Sequence, residues 1–506
     1  MAGPTLERAA DAAILATLTW PAWASCTSVS FWRAFPGLAW RLLAGLTLCL
    51  IAAGGVSAIA PLWLLRLMVV VALGALVGLH WHARAARGRA RHWPPGSLRP
   101  LPLGPWFERD FFLDASRRFG SVFKTSQFLR PMACMVGLPE GLAFLKTHEA
   151  SLASPPMGFG RFIPGGFLRH MPPERHAAAK DVLRRAIARE VYQPFEPVFR
   201  DIFRTMAAGI VTEGSLSNGA SVPPRRHVQR AMFPLWTTLF FDIEAGTPGV
   251  ERLKALYRIL DIRNPTGASD EAIHGAVAEI CRTVTDRLPR DAAAADGAPR
   301  SFLEALWRQS PELVDDPSII TNLIYMMHTT WSDMSGLLVW LLRMMTEHET
   351  WTARLRDCAA ANSHDGASLY ARFVMETLRF EQSEHLYRVA AKEIRHNDVV
   401  IPSGWLVRVC LRESHQDPAV FDDPARFNPD RFLHRVYSRQ EYAPFGGGQK
   451  YACLGEGLAA LVGRTVVEEL SRGFTWRTMT DGPHEYSAWR HWRPSSNWRI
   501  LVASRP

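Results

Sequence analysis

The stretch PFGGGQKYACLGEG, residues 444–457, decides how this chain is read. Three consecutive glycines cost backbone entropy and pack nothing, so they point to a turn or a close approach that a side chain would obstruct. Cys453 follows at the threshold of a helical run, Glu456 to Arg472, and lies beside Leu454 and Gly455. A helix N-terminus favours an anion, and thiolate is the form of cysteine that ligates metal. Two readings of these residues stand side by side. One is a glycine-lined thiolate facing a flat macrocycle; the other is a glycine-rich turn around a small buried cysteine. The remaining cysteines, at 26, 49, 134, 281, 358 and 410, are scattered and form no C-x-x-C pair. That argues against a disulfide framework and against a zinc site.

Outward from the loop, most of the chain reads as helix. Residues 174–190 have strongly helical composition, and 368–380 (SLYARFVMETLRF) form a second such run. Residues 316–347 are apolar nearly all round and carry no proline after Pro317, so they predict one long helix through the centre of the body. His328, Asp333 and Arg343 lie within it, and charges are costly in lipid, so a buried helix is favoured over a membrane span. Residues 388–411 switch to short β-branched runs punctuated by Asn397-Asp398 and Pro402-Ser403-Gly404, which predict small strands and hairpins. A last hairpin is expected near 482–502. The fold class is therefore mainly α with a minor β portion (α+β).

The N-terminal part is organised differently. From Leu42 to Leu65 the chain carries no charge, and after Arg66 a second apolar run reaches His80. A bilayer core needs about 20 apolar residues in helix. Residues 42–80 are thus expected to be a transmembrane anchor of one or two spans, after a tail at 1–41. Arginines 84, 87, 89 and 91 follow, and then PPGSLRPLPLGP, so 81–105 reads as a basic, proline-stiffened neck. Positive charge beside the anchor places the body, 106–506, on the cytosolic side. The formal charge of +10 suits an anionic membrane face and an acidic protein partner. No nucleic-acid-binding motif is present, so nucleic acid is not an expected partner.

The loop resembles the haem-binding signature of the cytochrome P-450 superfamily, Phe-x-x-Gly-x-basic-x-Cys-x-Gly, with Phe445, Gly448, Cys453 and Gly455 at its fixed points. Glu376-Thr377-Leu378-Arg379 is similar to that family's Glu-x-x-Arg. PARFNPDRF, 424–432, and the segment from Ile401 match further family motifs in the required order. The resemblance covers roughly Pro94 to the C-terminus and includes the anchor and neck. It implies that Cys453 ligates the iron of haem b. It implies that Glu376, Arg379 and Arg426 form a buried network under the loop. It also implies that Arg388, His176 and Lys180 face the haem propionates, and that Phe445, Gly448 and Gly455 line the cofactor. The implied activity is a monooxygenase that oxidises a lipophilic small molecule (a terpenoid, sterol, polyketide or fatty acid, in a biosynthetic setting). O2 is the oxidant, and electrons come from NADPH through a reductase. The implied location is the endoplasmic reticulum membrane.

Two departures bear on that expectation. The loop holds one residue more than the signature between Phe445 and Cys453, and Tyr451 stands where a basic residue is usual, with Lys450 one place earlier. A bulge among Gly446, Gly447 and Gly448 can absorb the insertion. In the long helix, Trp331 replaces a glycine and Met334 replaces the threonine beside the acid Asp333. Methionine sulfur is only a weak acceptor and relays no proton. Asp333 remains as the catalytic acid, and Ser335, Ser332 or an ordered water would stand in for the threonine. The missing threonine favours a second reading, an isomerase or dehydratase that needs no external electrons, while the retained Asp333 and the basic surface disfavour it; the helix is similar to the prostacyclin-synthase and bile-acid-hydroxylase branch, which includes both hydroxylases and isomerases. A non-catalytic haem sensor or membrane scaffold is a third reading.

Overall fold

The computed structural model describes residues 92–98, 105, 108–127, 130–155, 167–216, 221–260, 269–288, 297–313, 316–361, 364–381, 385–447, 452–485 and 492–504. The expected anchor at 42–80 lies outside them. Among the described residues no helix is long and apolar enough to cross a membrane. The chain divides into two compact units. One holds residues up to Pro156 and His385–Ser414; the other holds Met157–Glu384 and His415–Pro506.

The first unit is built on a five-stranded sheet. Its strands are β1 (Val122–Gln127), β2 (Arg130–Val136), β3 (Leu152–Ala153), β4 (His385–Ala390) and β7 (Leu406–Cys410), in the order β1-β2-β7-β4-β3. β2 pairs with β7 in parallel, and the other pairs are antiparallel. β5 (Ile394–His396) and β6 (Val399–Ile401) form a separate hairpin. The turn residues explain the chain reversals. Asn397 sits at φ 49° between β5 and β6, and Gly404 at φ 85° before β7. Phe112, Phe123, Met132, Cys134, Val389, Leu406 and Cys410 bury one common cluster.

The second unit is mostly helical. Its principal helices are α1 (Pro173–Ala186), α2 (Glu196–Leu216), α3 (Pro224–Phe241), α4 (Pro248–Leu260), α5 (Pro317–Glu347), α6 (His364–Phe380) and α7 (Glu456–Arg472). α5 is the expected long helix. Asp316 caps its start by accepting from the Ser318 N–H, and Pro317 occupies the first turn, where no donor is needed. Its flanks, 318–325 and 337–345, are buried without a break, and Trp340, Leu338, Leu341 and Leu342 have no exposed surface. α3 packs along α5, and α7 packs on α2, α5 and α6. Gly463 permits the last crossing, because a Cβ there would meet the Val374 methyl at 3.0 Å.

Two expected elements differ in detail. The helix at 174–190 ends at Ala186, and a short turn of helix, Arg189–Tyr192, follows a non-helical Ala188. The C-terminal hairpin is wider than 482–502. Its strands are β8 (Phe474–Thr480) and β9 (Arg499–Ser504), because Phe474, Trp476, Ile500 and Val502 supply the inward alternation. Only the Glu485–Arg493 bridge falls in the described part of the connection.

Candidate active site

Glu376 and Arg379 lie three residues apart on α6 and neither has exposed surface. The pairing is bidentate: Arg379 Nε donates to Glu376 Oε2 at 2.8 Å and Nη2 to Oε1 at 2.9 Å. A second guanidinium joins them. Arg431 Nε lies 3.0 Å from both Glu376 oxygens. The Asn428 N–H completes the carboxylate's set at 2.8 Å. Two cations thus share one anion away from water, and backbone carbonyls supply the balance. His415 and Pro424 accept from Arg379, while Asp422 and Arg426 accept from Arg431. Charge-assisted, fully satisfied contacts of this kind are what make a buried ionic cluster tolerable. Arg426 enters only through its carbonyl, and its side chain is exposed. The buried second arginine of PARFNPDRF is therefore Arg431, since the short helix Arg431–His434 turns that side chain inward.

The cluster is linked to the cysteine loop through His415. This imidazole is fully buried, and its Nε2 accepts from the Ala443 N–H at 3.1 Å. Burial, with a smaller push from Arg379, drives its pKa down to about 3, so it is neutral and can accept. The Ala443 carbonyl accepts from Gly446, and the Phe445 carbonyl accepts from the Cys453 N–H at 3.0 Å. Gly446 takes φ 85°, a left-handed conformation suited to glycine, and so makes the turn that opens the enlarged loop. Gly448, like 449–451, lies outside the described residues. Phe445 packs against the core as a partly buried ring.

Cys453 itself is exposed, three residues before α7. It is not a small residue enclosed by aliphatic groups. Gly455 lies next to the sulfur, where a Cβ would make an ordinary van der Waals contact with Sγ at 3.7 Å. Gly457 is more demanding: a Cβ would fall 2.3 Å from the Tyr192 hydroxyl. Lys180 on α1 donates to the Ala452 carbonyl at 3.3 Å. Burial lowers its pKa, and a Cys453 thiolate would offset part of that fall. His176, one turn earlier, is buried. Arg388 belongs to β4 of the other unit, where its Nη1 donates to the Tyr387 carbonyl.

The middle of α5 is the second part of the site. Between its buried flanks, residues 329–332 are partly accessible and Asp333 is exposed. Ser335 is buried, and its hydroxyl donates to the Trp331 carbonyl at 2.6 Å. Its proton is thus committed to the helix, although its lone pairs still accept. Met334 is buried beside it.

This donor set fits a haem. One accessible sulfur stands at a helix threshold beside Gly455, Lys180 bonds to the preceding residue's carbonyl, and a long helix elsewhere in the same unit has an open middle. The sequence profile described as Cytochrome P450 matches residues 270–495, which include α5, α6 and the cysteine loop.

The chain belongs to the cytochrome P450 superfamily. Among curated proteins, this P450 is 23% identical over 436 residues to abscisic acid 8'-hydroxylase 2 of Oryza sativa subsp. indica, covering 77% of this chain and 84% of that one. It is 24% identical over 472 residues to cytochrome P450 26A1 of Gallus gallus, covering 80% and 91%. Among solved structures, the retinoic acid bound cyanobacterial CYP120A1 superposes with a TM-score of 0.65 at 20% identity, covering 82% of this chain and all of that one. The fold is accordingly that of a P450, and the chain is an oxidoreductase of that family. Within it, the sequence had singled out Cys453, Glu376 and Arg379. His415, Arg431 and the Tyr192–Gly457 contact emerge only from packing.

Proposed function

We propose that this P450 is a haem-thiolate monooxygenase that places one oxygen atom from O2 into a lipophilic small molecule. The observation that carries the reading is the exposed Cys453, its amide tied through the Phe445 carbonyl into a loop anchored by the Glu376–Arg379–Arg431 cluster. When bound, haem b would supply the activation of O2, and a thiolate ligand favours cleavage of the O–O bond. Cys453 would hold the iron. Lys180 and His176 are the cations that would face the propionates, and Phe445 and Gly455 would line the cofactor. Asp333 and Ser335 are the residues of α5 assigned to proton delivery. Electrons come from NADPH through a membrane-bound reductase whose acidic face meets the basic chain. The substrate class is read from abscisic acid, which names the Oryza sativa relative, and from the retinoic acid bound in the solved cyanobacterial structure, both lipophilic molecules of the terpenoid type.

The anchor at 42–80 is assigned to the endoplasmic reticulum, with the body in the cytosol. A second reading, an isomerase or dehydratase, is favoured by one feature: Ser335 spends its proton on the Trp331 carbonyl while Met334 fills the threonine position. Stoichiometry separates the two readings. With reductase and substrate, the monooxygenase consumes O2 and NADPH one for one, and the isomerase consumes neither. The reduced carbon-monoxide difference spectrum tests the ligand directly. The wild-type chain is expected to show the long-wavelength band of thiolate ligation and Cys453→Ala to lose it; an unchanged band in Cys453→Ala would overturn the assignment.

A further inference from the structure

The short turn of helix Arg189–Tyr192 packs on α7. Its course leaves Tyr192 little freedom. The chain breaks from α1 before Ala188, whose carbonyl accepts from the Val191 and Tyr192 N–H groups, and Pro194 stiffens the turn that follows. The Tyr192 ring is buried in the core cluster that also holds Leu458 and Ala459 of α7. Its hydroxyl rests against Gly457, the second residue of α7 and four places after Cys453. A Cβ on Gly457 would stand 2.3 Å from that oxygen and 3.5 Å from the ring Cζ. Among the described residues, nothing else beyond the adjoining helix lies within 4 Å of it. Gly457 lies in regular helix without a positive φ, so the backbone does not call for glycine there, and glycine weakens a helix. The close approach of the hydroxyl is what requires it. On the other side of the cysteine, Lys180 of α1 holds the Ala452 carbonyl.

We propose that Tyr192 is a positioning residue for the haem ligand: its hydroxyl, seated against Gly457, sets the first turn of α7 and so the direction in which Cys453 presents its sulfur. This rests on the haem-thiolate reading and adds the device that keeps the thiolate in place. Cys453 is exposed, and its amide has one tie, to the Phe445 carbonyl. The rigid element that follows it is therefore α7. The Gly455 carbonyl accepts from the Ala459 N–H, so residues 455–459 form one closed turn with Gly457 at its middle. Pressure on Gly457 moves that turn as a body, because closely packed interiors transmit displacement. A functional constellation has to be held within about 0.5 Å by the residues behind it, and Tyr192 is the side chain placed to do so here.

The test uses the full-chain holoenzyme. The reduced carbon-monoxide spectrum reports the thiolate, and far-ultraviolet circular dichroism reports the fold. Gly457→Ala should lower the ratio of thiolate-ligated to unligated haem on the order of tenfold, the scale of one overpacked methyl group, with little loss of helix. Combining Tyr192→Phe with Gly457→Ala removes the oxygen and leaves the new methyl 3.5 Å from the ring, an ordinary contact, so the double variant should recover most of the band. Tyr192→Phe alone keeps the ring but loses the seat. In urea it should lose the band before it loses its helices, whereas wild type loses both together. A full band in Gly457→Ala, a band loss there that merely follows the unfolded fraction, no recovery in the double variant, or coincident urea transitions in Tyr192→Phe each overturns the proposal. If wild type shows the band and any of these occurs, only this inference falls; if wild type lacks the band, the haem-thiolate reading falls and takes this inference with it.

Discussion

His415 shows how much one side chain can carry without touching the reaction. Its carbonyl accepts from Arg379 Nη1 at 2.9 Å and its ring accepts from the Ala443 N–H, so one residue joins the ionic cluster to the segment that leads into the cysteine loop. Only the neutral ring can accept. Its folded pKa, about 3, lies below the ordinary value of 6.5, so the unfolded chain binds a proton that the folded chain refuses. Stability from this group is therefore complete above about pH 6.5 and is lost as pH falls toward 3, by at most about 1.4 kcal/mol per pH unit. Acid unfolding of wild type and His415→Gln should reveal it. The variant removes the titrating ring, so its stability should fall less steeply with acid between pH 6 and 4, by close to one proton. Equal slopes in the two proteins would show that the ring is not held neutral. At pH 7.5 the prediction has a second arm. His415→Phe keeps the ring volume but strands the Ala443 N–H, a loss of about 1–3 kcal/mol in denaturant unfolding.

At the scale of elements, α6 and the segment 424–434 form one unit because Glu376 is held from both sides. Glu376→Gln leaves two buried guanidiniums without their anion, and the expected loss is about 3–5 kcal/mol, read as a lower denaturant midpoint and poor haem retention. A midpoint within experimental error of wild type would mean that the surrounding carbonyls alone hold the arginines. The same elements show what sequence can disclose. Glu376 and Arg379 were legible because helical spacing fixes their neighbourhood in advance. The choice between Arg426 and Arg431 was not, since both lie in one nine-residue motif and only the short helix Arg431–His434 decides which side chain turns inward. The hairpins after β4 were legible from Asn397 and Gly404, whose positive φ values the turns require. β1 and β2 were not. Arg130-Pro131 interrupts the β-branched signal, and β2 is a strand chiefly because it can pair in parallel with the distant β7. His415 was invisible for the same reason: its partner is Ala443, 28 residues away.

The whole chain sets a strongly apolar, basic N-terminal part against a body of ordinary surface. Residues 1–91 hold eight arginines against Glu7 and Asp11, so most of the excess of +10 lies there. The uncharged run from Leu42 to Leu65 would extend about 36 Å as helix, more than the roughly 30 Å of a hydrocarbon core. Among the described residues of the body, by contrast, the exposed large apolar side chains are Val198, Leu433, Val436 and Met479. Four such side chains are too few for firm insertion, because each fully buried one contributes only about 1.5–3 kcal/mol. Under the proposed anchor, membrane attachment and haem chemistry are therefore separable. The full chain should float with neutral phospholipid vesicles in high salt, and a chain beginning at residue 92 should remain at the bottom of the gradient. The truncated chain should keep the long-wavelength carbon-monoxide band, since Cys453 and the Glu376 cluster draw every described contact from beyond that point. Vesicles of anionic lipid should increase flotation of the full chain at low salt only, where the arginines are least screened. Flotation of the truncated chain with neutral vesicles at high salt would place the attachment in the body instead, and the anchor assignment would have to be abandoned.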